Sequence, residues 1–514
     1  MRFKKSLINS SFLTLQQLII MVLAFASRTI FARYLGMEYL GYTTLFGNIF
    51  IWLSFAELGF SAINYLLYSA LAQNDRMAIS SIMRTYRDGL RLTGVVILVI
   101  GVSITKLLPL LIKDVPTENL FEVYSIYWLQ LVAVVVPYFS THWRLYIVAC
   151  QEEYICTNLD SVIRIFVSAG QILVVVTGRG IYSYLIMNLV GNIVTAAVLE
   201  YIGHKKYADV IVPGTKAMPL RSTGLWKEVK DYIIHRISLL LYNSTDSILI
   251  SMFCGSVIVA QYGNYTTIYQ YTSSLFFTKL FQGIQASLGN FLNVESKENA
   301  KRMFSILDTL MYLFACVVCC GYVACFQPFM MWWMGAENTL PMFFLVLYIC
   351  TAYISFDTEL LYKYRSVYGR YALDRGWMLG SAVLNLGLSL LLVKGMGVAG
   401  IQIGTIAGLL CVVIGRGKVT FIMNPQLSAQ EYIKKHGLRG IYFLAQALVV
   451  WLLCRYLPIT LPGVYLRGLV AVCFSALAGV LLFCVSKDAR LLPQYLKVKL
   501  QGARHQRKMK EKDQ

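Results

Sequence analysis

The sequence predicts an all-α polytopic membrane protein of about 14 transmembrane helices, built as two parallel-repeat six-helix lobes plus two C-terminal helices. Three observations carry this. Of 514 residues, 57% are hydrophobic and only 14% are charged, too little polar surface for a soluble chain of this size. The apolar residues fall in runs of about 20, the length that crosses a bilayer as helix. Lys and Arg gather in alternate connections between those runs.

The runs lie roughly at 11–34, 41–69, 90–112, 123–149, 158–178, 181–203, 231–253, 261–290, 304–327, 340–362, 372–393, 397–415, 438–456 and 464–485. The first follows MRFKK, a start that resembles a signal peptide. No small-residue cleavage site closes it, and the run continues past Arg28 to Leu35, so it is kept as a helix. Pro137 predicts a kink in the fourth run. TGRG at 177–180 separates the fifth from the sixth. Gly395-x-Gly397-x-x-Gly400 separates the eleventh from the twelfth. It has dinucleotide-site spacing but sits between two apolar helices, without the strand–helix unit and acidic ribose reader that such a site needs.

With the N-terminus in the cytoplasm, the cytoplasmic connections hold Arg76, Arg84, Arg87 and Arg91, then Lys205 to Lys230, Lys297, Lys301 and Arg302, Lys363 to Arg375 and Arg416 to Arg439, with the tail after Ser486 strongly basic. The other side holds a handful, such as Arg33, Lys113, Arg179 and Arg455. The asymmetry predicts an even helix count with both termini cytoplasmic. It also explains the net charge of +20 as charge facing anionic lipid, with no nucleic-acid partner.

A repeat sets the organisation. YTT at 42–44 returns at 265–267, each time after an apolar helix and a Gly-containing bend, in YLGMEYLGYTT and CGSVIVAQYGNYTT. Six helices separate the copies. An even number restores the starting side, so the repeat is parallel. The expected plan is an N-lobe at 1–204, a cytoplasmic linker at 205–230, a C-lobe at 231–422, helices 13 and 14 at 423–485 and a basic cytoplasmic tail at 486–514.

Charges inside the runs are the candidate functional residues. A charge at the bilayer centre costs about 2.5–3.5 kcal/mol on insertion scales, so it faces a partner or a wet cavity. Helical spacing puts Gln17 and Arg28 on one stripe of helix 1, and Ser54, Glu57, Ser61 and Asn64 on one stripe of helix 2. His235, Tyr242, Asn243 and Asp246 form a stripe in helix 7, and Thr272, Lys279 and Gln282 one in helix 8. Arg28, Glu57, Asp246 and Lys279 are expected to line a central cavity, unless each is an ion pair that only fixes packing. Arg144, Arg164, Arg236, Asp357 and Glu359 lie nearer helix ends and are expected to snorkel, with Arg164 answering Asp160, Glu152 or Glu153.

Other signals point away from catalysis. Cys316-x-x-Cys319 has redox or zinc spacing but no second pair, so its cysteines are expected to pack in an apolar run. Five His are too few and scattered for a nameable site. No P-loop, metal triad or Ser-His-Asp order appears, so neither an enzyme nor a cofactor is expected.

The chain resembles the Wzx-like polysaccharide flippases of the polysaccharide transporter family, in the multidrug/oligosaccharidyl-lipid/polysaccharide exporter superfamily. The residues that carry the resemblance are ARYLGMEYLGYTTLFGNI at 32–49, SFAELGFSAINYLLYSALAQND at 54–75 and GVAGIQIGTIAG at 397–408. The resemblance implies two lobes that rock about a central cavity in a bacterial cell membrane. The substrate it implies is a polyprenyl diphosphate-linked oligosaccharide. The head group crosses through the cavity for capsule or exopolysaccharide assembly, and the lipid tail stays in the bilayer through a gap between helices 1 and 8. Arg28 and Lys279 suit the diphosphate, with Arg236 and Arg144 near the entrance. Asn64, Tyr242, Asn243, Gln282 and Glu57 suit sugar hydroxyls. Glu57 and Asp246 suit a coupling proton, with a proton or sodium gradient as the energy source. A polysaccharide polymerase and glycosyltransferases fit as partners beside membrane lipid. A lipid II flippase, a cation-coupled multidrug exporter and a membrane-embedded glycosyltransferase or polymerase remain alternatives. The cavity charges named here roughly cancel, which departs from the simplest anion-binding picture.

Overall fold

A computed structural model of the chain describes residues 2–54, 63–113, 119–212, 214–218, 237–238, 244–279, 288, 297–368 and 371–485. Among these residues the chain is almost entirely helical and has no strand. The helices are α1 (Arg2–Tyr34), α2 (Met37–Leu53), α3 (Ile63–Ala72), α4 (Arg76–Leu111), α5 (Leu120–Phe139), α6 (Thr141–Ala149), α7 (Glu153–Val176), α8 (Gly180–Lys206) and α9 (Ser244–Cys254). They continue as α10 (Ser256–Ser273), α11 (Lys297–Met334), α12 (Met342–Asp357), α13 (Glu359–Tyr368), α14 (Tyr371–Met396), α15 (Val398–Met423), α16 (Ala429–Cys454) and α17 (Leu461–Val485). Each of the fourteen apolar runs carries helix. Among the described residues nine helices are long and apolar enough to span a membrane, or ten with α12 and α13 taken as one bent span. The chain is therefore an all-helical, multi-pass membrane protein.

Local chemistry sets the breaks. Gly36 and Gly255, at φ +96° and +97°, open α2 and α10 in a backbone conformation that side chains with a Cβ disfavour. Gly178 and Gly180 turn the chain between α7 and α8, and Gly397 does so between α14 and α15. After Val135 the helix tightens into a 3-10 turn through Pro137 and breaks at Ser140, the kink the proline implied. Asp75 caps α4 by accepting from the backbone N–H of Met77 and Ala78.

The chain divides into two compact units, one of residues 1–265 and 386–401, the other of residues 266–385 and 402–514. In the first, Tyr127 packs edge-on against Phe46, at 5.1 Å between centroids, and donates to the carbonyl of Gly101. In the second, Phe277 stacks on Phe356 at 4.0 Å and Tyr353 on Phe443 at 4.1 Å. Cys316, Cys319 and Cys320 are buried in that core as small apolar groups. Outer faces are apolar and open: Phe166 is 70% exposed and Leu391 76%. That is the pattern of a surface solvated by lipid.

The stretch after α8 is fastened to α4. Val212 N–H donates to Ser80 Oγ at 2.9 Å, Arg84 Nη2 donates to the Val212 carbonyl, and Met218 N–H donates to Thr85 Oγ1 at 2.7 Å. Near its start, Lys206 and Tyr207 both donate to the Glu152 carboxylate.

Three expectations about charge need correction. Asp160 is held by Arg144 through two bonds of 2.7 Å and Glu152 by Lys206, and among the described residues Arg164 pairs with neither of them nor with Glu153. Asp357 does not snorkel: it is 3% exposed and faces His436. Arg365, assigned to a polar connection, is buried and forked onto Asp374 at 2.7 and 2.8 Å. Helical spacing had located these residues but not the helix that each one meets.

Candidate functional site

The first unit holds a polar seam where α1, α2, α9 and α10 meet. Arg28 of α1 donates from Nε to Asn264 Oδ1 of α10 at 2.6 Å. On α2, Asn48 Nδ2 donates to the Thr44 carbonyl at 2.9 Å and to Ser247 Oγ of α9 at 3.1 Å. Beside Ser247, Asp246 accepts from Tyr262 Oη of α10 at 3.0 Å. Asn264, Asp246 and Ser247 are all buried.

Small residues let these helices close. A Cβ on Gly41 of α2 would stand 2.0 Å from the backbone oxygen of Ser256. A Cβ on Gly263 of α10 would stand 2.9 Å from Arg28 Nη2 and 3.1 Å from Thr44 Cγ2. Gly-rich contacts of this kind bring helix backbones together where lipid offers no hydrophobic drive to pack.

Two seam residues stand at the same distance from a positive-φ glycine: Arg28 is eight residues before Gly36, and Ser247 eight before Gly255. The YTT triplets begin six residues after one bend and ten after the other. The short sequence match is therefore one helical turn out of step with the bends.

Of the residues singled out from sequence, Arg28 and Asp246 both belong to this seam. Asn64 lies on α3, and Lys279 ends the widened helical turn after α10, each placed by its backbone alone. Glu57, Arg236, Tyr242, Asn243 and Gln282 lie outside the described residues.

The second unit contains two features that sequence reasoning missed. The first is a buried charge cluster: His436 of α16 lies between Asp308 of α11 and Asp357 of α12, and Arg439 and Lys435 reach the same Asp308. The available signal was the i, i+1, i+4 spacing of Lys435, His436 and Arg439 at the start of an apolar run. The second is a cavity of about 570 Å³ walled by α10 and the turn after it, α11 and α17, among them Phe276, Leu313, Val317, Gly321, Phe329 and Val472. Its lining is almost wholly apolar. Among the described residues no group of His, Cys, Asp or Glu is placed to hold a metal ion.

Such a fold, with long lipid-facing helices, Gly-closed packing and charge kept to interior seams, belongs to multi-pass membrane proteins. More particularly, the chain is similar to the lipid II flippase MurJ in an inward closed conformation, with a TM-score of 0.68 and 12% identity over 92% of this chain and 98% of that one. It is also similar to an inward-facing multidrug resistance transporter of the MATE family in the MOP superfamily, with a TM-score of 0.60 and 15% identity over 80% and 96%. A eukaryotic MATE transporter, AtDTX14, gives 0.52 and 13% over 80% and 97%. The fold is the one these transporters share. No known family profile matches the sequence, and no curated protein matches it.

Proposed function

We propose that the protein is a flippase that moves polyprenyl diphosphate-linked oligosaccharide units from the inner to the outer leaflet of a bacterial cell membrane by alternating access, for capsule or exopolysaccharide assembly. The observation that carries this reading is the apolar cavity against α10, α11 and α17. Its volume and lining suit an isoprenoid or acyl chain, and they offer nothing to a hydrophilic or multiply charged solute.

Arg28 supports the polar half of the reading. A guanidinium is permanently charged and presents a planar fork of donors, matched to diphosphate oxygens. The seam brings hydroxyls and carboxamides to the same level, the groups that meet sugar hydroxyls. Lys279, Arg236, Glu57, Asn64, Tyr242, Asn243, Asp246 and Gln282 complete the proposed binding set. The six-plus-six-plus-two plan, with its boundaries at 204, 230, 422 and 485 and cytoplasmic termini, is the proposed frame. A polymerase and glycosyltransferases are the proposed partners, and a proton or sodium gradient the proposed drive. Alternation requires only that substrate bind the two states with different affinity.

A lipid II flippase is the second reading. The likeness to MurJ favours it, because that likeness covers more of this chain than the likeness to the multidrug transporter does.

The test is reconstitution in liposomes with a fluorescent-sugar polyprenyl diphosphate, its outward movement followed by access of an external quencher. Movement of this lipid by the wild-type protein, lost in Arg28→Ala, is the expected result. Transport of lipid II alone selects the second reading. Transport of a cationic dye without either lipid overturns both.

A further inference from the structure

His436 is gripped from both sides. Its Nδ1 lies 2.5 Å from Asp357 Oδ2, and its Nε2 lies 3.0 Å from Asp308 Oδ1. The two carboxylates are held unequally. Asp308 also accepts from Arg439 Nη1 at 2.7 Å and pairs with Lys435 Nζ at 3.1 Å. Asp357 has the imidazole on one oxygen, while its other oxygen, Oδ1, is buried without a hydrogen-bond partner. Nearby, the phenols of Tyr353, Tyr364 and Tyr432 are likewise buried without a partner, and Tyr432 stacks on the imidazole at 3.9 Å.

Hydrogen counting sharpens the picture. Each short nitrogen–oxygen contact needs one hydrogen between the atoms. A neutral imidazole carries one, so the arrangement contains a second labile proton, on the ring or on a carboxyl. Asp308 already pairs with two cations, so the second hydrogen is the one in the contact between the His436 ring and Asp357. The titratable and charged groups around it are Asp308, Tyr312, Cys316 and Cys319 on α11, Tyr353 and Asp357 on α12, Tyr364 on α13, and Tyr432, Lys435 and Arg439 on α16.

Asp357 also sits at a break. It is the last residue of α12, and α13 begins at Glu359 after a bend of 43°. We propose that Asp357, His436 and Asp308 form a proton-binding site that latches this bend onto α16. With the extra proton bound, the imidazole bridges two carboxylates and ties α12 to α11 and α16. When that proton passes to water, a bare ring nitrogen faces a carboxylate, the contact turns repulsive and the bend is released. One proton thereby sets the conformation of one broken helix. The site does not depend on the identity of any transported lipid.

The experiment uses the full-length protein in lipid nanodiscs. Amide hydrogen exchange is followed across about pH 5 to 9 and corrected for intrinsic chemistry. In the wild type, exchange over residues 355–368 is expected to rise with pH, by at most about tenfold per pH unit because one proton is linked. Asp357→Asn and His436→Gln are expected to lose that dependence while exchange in α8 stays at its wild-type level. Imidazole-labelled NMR of the wild type should show one of the five histidines titrating at the same midpoint. A flat wild-type profile, a dependence that survives in Asp357→Asn, or no histidine titrating at that midpoint each overturns the proposal. The NMR measurement decides the matter even where a variant does not fold.

Discussion

Arg28 and Asn264 are 236 residues apart in sequence, yet Arg28 Nε donates to Asn264 Oδ1 at 2.6 Å. One charge-assisted bond thus joins α1 to α10, the helix that begins at the Gly255 bend. Hydrogen bonds to a charged group contribute about 1.5–3 kcal/mol. Arg28→Ala is expected to lower stability by about that amount and to abolish flipping in the liposome assay. Arg28→Lys keeps the charge without the planar fork and should retain part of the stability but little of the flipping.

Gly41 and Gly47 lie on the same helix and should respond oppositely to alanine. At Gly41 a methyl group meets a backbone oxygen at 2.0 Å, so α2 must move away from α10. Overpacking of this kind costs about 1–3 kcal/mol. At Gly47 nothing lies within 4 Å, and alanine should be neutral or stabilise by up to about 1 kcal/mol. Thermal unfolding of the two single variants, followed by size exclusion, separates them.

Two Arg–Asp pairs of similar geometry differ in burial. Arg365 and Asp374 are 2% and 1% exposed, whereas Arg144 and Asp160 are 33% and 35% exposed. Removing one partner of a buried pair leaves an uncompensated charge and costs about 3–5 kcal/mol. A half-open pair is worth about 0–1 kcal/mol. Asp374→Ala should therefore collapse the expressed, monodisperse fraction, and Asp160→Ala should hardly change it.

Glu152 gives a pH signature outside the spans. Its hydrogen bond from Lys206, then that from Tyr207, hold its carboxyl below the ordinary value of 4.5. Burial, aided by the bond to Glu152, pushes Tyr207 up to about 12. A lowered carboxyl adds stability above its unfolded value and loses it as pH falls through the folded value. Glu152→Gln should thus be less stable than wild type at neutral pH, and the gap should close below about pH 4. Proteolysis of the link after α8, measured at several pH values, reads this directly.

Gly321 lines the apolar cavity with open space where a Cβ would stand. Gly321→Leu should fill the cavity without loss of stability and reduce photo-crosslinking of a long-chain isoprenoid probe by about tenfold or more. Undiminished crosslinking would remove the cavity from the transport reading.

Length and spacing made much of the architecture legible. A helix must cover about 30 Å of hydrocarbon, so each span announces itself as an apolar run bounded by Gly, Pro or charge. The bends at Pro137, at Gly178 with Gly180 and at Gly397 follow from the backbone limits of those residues. The cysteines of the ninth run packed as small apolar groups for the same local reason.

Partnership between charges was not legible. A period of 3.6 residues assigns a side chain to a face, but the helix opposite that face is chosen by packing over long sequence distances. Asp160 therefore met Arg144 and not Arg164, and the bland-looking His436 closed a network with Asp357, 79 positions away. The order of amino acids dictated where the chain crosses and where it bends, because both are local demands of lipid and backbone. Which buried charges neutralise one another emerged only when the helices had packed, because a charge in a low-dielectric interior is settled by its nearest neighbours in space.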